Sequence, residues 1–133
     1  MYHIENITHT LLYYLRQQGP YGEGNRVLIN KIRKLAPWHT IYAIAQDNPA
    51  LTTASECRYD VGVTDAAHPS LQQQPFPDGK YAVFTIPHTV EGVTHFWAQL
   101  PTLALTIRDA PIIERYSEKM IAHAYCEMLV PIF

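Results

Sequence analysis

Charge is scarce in this 133-residue chain. Asp, Glu, Lys and Arg make up 17% of it and the formal net charge is -2, against roughly 25% charged residues in a typical soluble protein. With no basic excess there is no field to gather phosphate backbones or anionic lipid, so direct nucleic-acid binding is not expected. Long apolar runs are also missing, since polar residues interrupt every stretch well before the roughly 18 residues needed to cross a bilayer. The start, MYHIENITHT, is polar and has no signal-peptide pattern. A cytoplasmic location with no membrane partner is therefore expected. Cysteine is limited to Cys57 and Cys126, without metal-ligand spacing, and a reducing cytosol would keep them as thiols in the core. The seven histidines form no HxxxH or HExxH arrangement, so no metal is expected. Nucleophile motifs of the GxSxG type and phosphate-binding loops are absent, and Gly19, Gly22 and Gly24 have the wrong pattern for a dinucleotide fingerprint. No cofactor is expected, and binding is better supported than catalysis.

What the chain does have is a hydrophobic fraction of 47% and enough length for one core, though not for a sensor plus a separate DNA-binding domain. One domain over residues 1–133 is expected. His9 to Gln17 reads as a strand ended by the Gly19-Pro20 turn. Asn25 to Leu35 places Val27, Leu28, Ile32 and Leu35 on one helical face, and Pro37 stops that helix. Thr40 to Gln46 is a β-branched and aromatic run, and Cys57 to Thr64 alternates as a half-buried strand. Ala66 to Asp78, with three prolines and three consecutive glutamines, suits a surface connection better than regular structure. The second half repeats the order: strand 81–86, helix 90–100, then strands 111–117 and 124–132.

A shift of 68 residues lays Tyr13 on Tyr81, Glu23 on Glu91 and Gly24 on Gly92, and a shift of 69 lays Cys57 on Cys126, Val61 on Val130 and Val63 on Ile132. The fold expected is α+β: duplicated βαββ halves (1–65 and 79–133, linker 66–78) about a pseudo-twofold axis. An antiparallel sheet would carry two helices on one face, with a ligand cleft between the halves. Period-two alternation assigns to that cleft the strand faces opposite the helix-packed core. Those faces carry Arg58 and Asp60, then Ile112, Glu114 and Tyr116, then Tyr125, Glu127 and Leu129.

Four stretches carry a resemblance. LRQQGPYGEG is similar to a strand-loop-helix entry with a Gly-Pro-aromatic turn, and DNPALTTASECRYDVGVTD to a loop opening on Asp-x-Pro followed by a Cys-Arg-Tyr-Asp strand. DGKYAVFTIPHTVEGVTHFW resembles a Gly-x-Tyr-Ala-Val strand opening the second half, and PIIERY with CEMLVPIF an acidic fifth strand and its closing strand. In order and spacing they resemble the GyrI-like family, which includes effector domains of AraC-type and some MerR-type regulators and free-standing gyrase-modulating proteins. The resemblance implies a cleft for hydrophobic, often cationic compounds, with aromatic walls and a strand-five glutamate, here Glu114. Leu129 stands where many relatives have a tyrosine, and Pro87-His88 replaces the second-half counterpart of Gly19-Pro20.

Glu114 lies in an apolar strand, IIERY, where a carboxylate must find a partner, reach solvent or become protonated. An ion pair with Arg58 or Arg115 is the structural reading, and a cleft carboxylate waiting for a cation is the functional one. Tyr14, Tyr42, Tyr116, Tyr125 and Trp97 are candidates for the aromatic walls, and each also fits core packing. Arg58 and Asp60 could bridge to each other, to Glu127 or to a ligand. The function expected is a stand-alone receptor for a hydrophobic or cationic small molecule. The resemblance adds DNA gyrase, or a DNA-binding chain, as a protein partner, and hydrolysis of strained electrophiles as a further activity.

Overall fold

The computed structural model describes residues 2–9, 11–22 and 24–133. The Glu23–Glu91 match falls outside them, as does one residue of the strand expected from His9. Eight strands and three helices follow in the order β1 (Tyr2–Ile7), β2 (Leu11–Gln18), α1 (Gly24–Leu35), β3 (Ile41–Ala45), β4 (Arg58–Val63), β5 (Gln72–Pro75), β6 (Gly79–Pro87), α2 (Val90–Gln99), β7 (Ile113–Tyr116), α3 (Glu118–Ala122) and β8 (Tyr125–Ile132). All strands join one antiparallel sheet in the order β1-β6-β8-β7-β3-β4-β2-β5. Outward from the β3·β7 junction, β7-β8-β6 on one side mirrors β3-β4-β2 on the other. Among the described residues no helix is long and apolar enough to cross a membrane.

This sheet cannot be flat. β1 and β2 lie six strand spacings apart, about 29 Å at ~4.8 Å each, yet Leu11 follows Ile7 by four residues, a reach of about 14 Å. The same limit holds between Pro75 of β5 and Gly79 of β6. The ends must therefore curl toward each other. The face inside the curl holds a core of Ile7, Leu12, Tyr14, Tyr42, Ile44, Phe76, Tyr81, Val83, Ile113 and Leu129, all buried without a helix over them.

The two longer helices, α1 and α2, pack on the other face, and Ile121 of α3 joins them there. Leu28 and Ile32, one turn apart, anchor α1 over Ala43, Tyr59 and Val61, while Phe96 anchors α2 over Ala82 and Phe84. Arg33 and Lys34 in the last turn of α1 suit its negative end. Thr89 starts α2 by accepting a hydrogen bond from Gly92 N at 3.0 Å, and Ser117 starts α3 by accepting one from Met120 N at 3.2 Å. Gly62 permits a close strand approach, because a Cβ there would lie 2.0 Å from the carbonyl oxygen of Tyr13. Cys57 and Cys126 are buried and unpaired.

Three elements differ from the sequence expectation. The polar start forms β1 against β6. The segment read as an irregular linker contains β5, paired to β2 through Leu11–Tyr14. At the sheet edge Gln72 and Gln73 remain exposed while Gln74 turns inward to Asp60, and Pro75 ends the strand where no ladder donor is needed. The short helix α3 was also not foreseen.

Candidate functional site

A cleft of about 930 Å³ opens on the helix side of the sheet, lined by α1, by Val93 of α2 and by Ile121 of α3. Tyr59, Glu114 and Tyr116 also line it, from β4 and β7, the two neighbours of β3. On this side β3 presents Ala43 and Ala45 after Ile41, by strand alternation, so small side chains leave space between the larger ones. His88, in the turn before α2, completes the wall, its ring centroid 5.1 Å from that of Tyr116.

The register corrects the facing assignment. Glu114 is directly opposite Ala43 and Met128, which belong to the core under the helices, so Glu114 and Tyr116 point to the helix side. Ile112 packs on that same core. Asp60, Glu127 and Leu129 lie on the opposite face, with Arg58 and Tyr125 at matching alternate positions of their strands. The sequence reading gave every strand one polar face turned from the helices. In β7 the carboxylate instead shares the helix-packed face, because the two helices leave the sheet uncovered where the cleft lies.

Of the candidate site residues, the structure brings Glu114 and Tyr116 together in the cleft and adds Tyr59. Tyr14 and Tyr42 are buried in the core inside the curl, and the Tyr42 hydroxyl is 3.2 Å from His9 Nε2. Trp97 is 47% exposed and packs edge-on against Phe96. Tyr125 is half-buried away from the cleft. Arg58 is bound to Asp47 through two guanidinium contacts of 2.9 Å. Glu127 accepts from Arg115 Nε at 2.8 Å, and Glu5 takes the other end of the same guanidinium, 2.7 Å from Nη2. Asp60, wholly buried, accepts from Arg16 at 2.7 and 2.8 Å and from Gln46 and Gln74. The ion pairs considered for Glu114 are thus absent, since Arg58 and Arg115 serve other carboxylates. His3, Glu5 and Glu127 bring ligand atoms within 4.8 Å of one another, but Arg115 donates to both carboxylates, which makes the group a salt-bridge network.

Glu114 has a different setting. Among the described residues it forms no salt bridge, and the hydroxyl of Tyr116 donates to its Oε2. Desolvation pushes its pKa above the ordinary carboxylate value, opposed by the Tyr116 hydrogen bond and by the nearby His88. Burial likewise raises the phenols of Tyr59 and Tyr116 and holds the Cys126 thiol up at about 12, with the Glu114 charge adding to each. Tyr59 went unrecognised because its alternate position beside Val61 and Val63 marked it as core. No signal in the sequence alone marks it as lining the cleft, because the placing of β4 and β7 on either side of the alanine-bearing β3 is set by the sheet order.

An open cleft that holds two tyrosines and a half-buried carboxylate on an antiparallel α+β scaffold fits a small-molecule-binding domain. The chain belongs to the GyrI-like family, whose model, described as a GyrI-like small molecule binding domain, matches residues 1–132. It is 39% identical to the "SPbeta prophage-derived putative transcriptional regulator YosT" of Bacillus subtilis (strain 168), over 97% of each chain. Its fold is similar to that of the EcmrR C-terminal domain, with a TM-score of 0.63 at 13% identity over 100% of this chain and 97% of that one. It is also similar to SAV2435 bound to tetraphenylphosphonium, with a TM-score of 0.60 at 16% identity over 100% and 94%.

Proposed function

We propose that this protein is a receptor for hydrophobic, cationic small molecules, which bind in the cleft between α1 and α2 and make it an effector-sensing unit of transcription control. The observation that carries this is Glu114, a half-buried, desolvated carboxylate without a cationic partner among the described residues, which lines the cleft with Tyr59 and Tyr116. A carboxylate in that position is costly alone and gains more from an incoming cation than it would in water. Tyr59 and Tyr116, largely covered by the core, add aromatic carbon to the wall beside Glu114, surface of a kind that attracts cations. The cation bound in SAV2435 supports this ligand class for the fold, and the regulator name of the Bacillus subtilis relative supports the sensing role.

A thermal-shift panel of lipophilic cations, neutral isosteres and anions tests the reading, since a ligand of the native state raises the apparent Tm. Cations should raise it most, and Glu114→Gln should remove that advantage. Equal shifts for cations and neutral isosteres would sink the cation part of the proposal.

A further inference from the structure

The walls of the cleft differ in charge, and the difference specifies more of the ligand than its cationic group. α1 turns Asn25, Arg26, Ile29, Asn30 and Arg33 toward the space. These positions follow an i, i+1, i+4, i+5, i+8 pattern and form one stripe about 12 Å long at 1.5 Å per residue, with the exposed Val27 at its edge. Its sequence, GNRVLINKIRKL, contains no acidic residue. The facing wall gives His88, Val93 and Ile121. Among the described lining residues Glu114 is therefore the single carboxylate, set against two guanidinium groups. Among the described residues Arg33 has one ion pair, a long 3.4 Å contact to Glu118 of α3, and its buried Nε has no hydrogen-bond partner.

A ligand that is only a cation satisfies Glu114 but brings positive charge toward the exposed Arg26 and the half-buried Arg33, which repel it. Resting on the cation-binding reading of this same cleft, we propose that the ligand is amphoteric. It is an aromatic molecule whose cationic group meets Glu114 and whose carboxylate, on the far side of the ring system, is held by Arg33 and Arg26. A carboxylate suits that wall because the guanidinium presents donors in a planar fork that matches its two oxygens. Asn25 and Asn30, on the same stripe, add uncharged polar groups beside it.

Two dyes of nearly identical shape separate the two charges. Rhodamine 110 carries a cationic ring system and a free benzoate, and rhodamine 123 is its methyl ester and a cation only. Fluorescence anisotropy titrations at neutral pH should give rhodamine 110 a Kd about 10-fold lower than rhodamine 123, the size of one charge-assisted hydrogen bond. Arg26→Gln combined with Arg33→Gln should bring the two dyes level, and Arg33→Lys, which keeps the charge and loses the fork, should fall between. Wild-type protein that binds the ester as tightly as the acid overturns the inference, whatever the variants do, and leaves the cation cleft standing. Failure of both dyes to bind, or indifference of both to Glu114→Gln, overturns the cation reading and this inference with it.

Discussion

The two faces of the curled sheet treat buried charge in opposite ways. Inside the curl, Asp60 is saturated by Arg16, Gln46 and Gln74, and Arg115 is shared by Glu5 and Glu127. Each charge there already has its partner, so that face has little left to offer a ligand. On the helix side the half-buried Glu114 has, among the described residues, only a tyrosine hydroxyl and a neighbouring histidine ring, beside an open space. The contrast separates charge that organises the fold from charge held available, although both kinds sit on strands of similar sequence character.

Breaking the organised side should have the largest effect. Asp60→Ala leaves Arg16 and two amides around an empty position and should cost about 3 kcal/mol of stability, as for breaking a buried pair, measured by urea denaturation. A loss below about 1 kcal/mol would show that this face is not held by its charges.

The acid–base behaviour of the two faces should differ in sign. Glu114 has a raised pKa, so its contribution to stability is present below its unfolded value near 4.5 and is lost as pH rises through the folded value. Glu114→Gln should therefore be more stable than wild type at neutral pH, and the gap should close in acid. Equal stability at every pH would mean that Glu114 is not desolvated. Glu5 runs the other way: hydrogen bonds from Arg115, against some desolvation, hold its pKa at about 2, so its contribution is present above 4.5 and fades as pH falls toward 2. Because its side chain is a third exposed, the difference between wild type and Glu5→Gln should stay below about 1 kcal/mol at pH 7, and it should shrink in acid. Denaturation at several pH values measures both.

Much of this scaffold was legible along the chain. Leu28 and Ile32 one turn apart marked α1, Pro37 marked its end, and the alternation of Tyr59, Val61 and Val63 marked β4. β1 and β5 were not legible, because their polar and proline-bearing sequences are compatible with a strand only at an edge, and edges are set by the rest of the sheet. Glu114 was legible as an anomaly in an apolar strand. Its side of the sheet was not, since alternation gives relative facing within a strand and only the register with Ala43 and Met128 ties β7 to the helix side. Tyr14 and Tyr42 were indistinguishable in sequence from cleft aromatics for the same reason.

The central claim is that the charge of Glu114 selects the ligand, and isothermal titration of a lipophilic cation and its neutral isostere into wild type and Glu114→Gln tests it most directly. The substitution keeps size and hydrogen bonding and removes the charge. The cation should lose about 1 to 3 kcal/mol of binding free energy while the neutral isostere changes little, and cation binding to wild type should weaken as pH falls, a dependence that Glu114→Gln flattens. Equal losses for the two ligands, with no change in pH dependence, would contradict the account and assign Glu114 to the shape of the cleft alone.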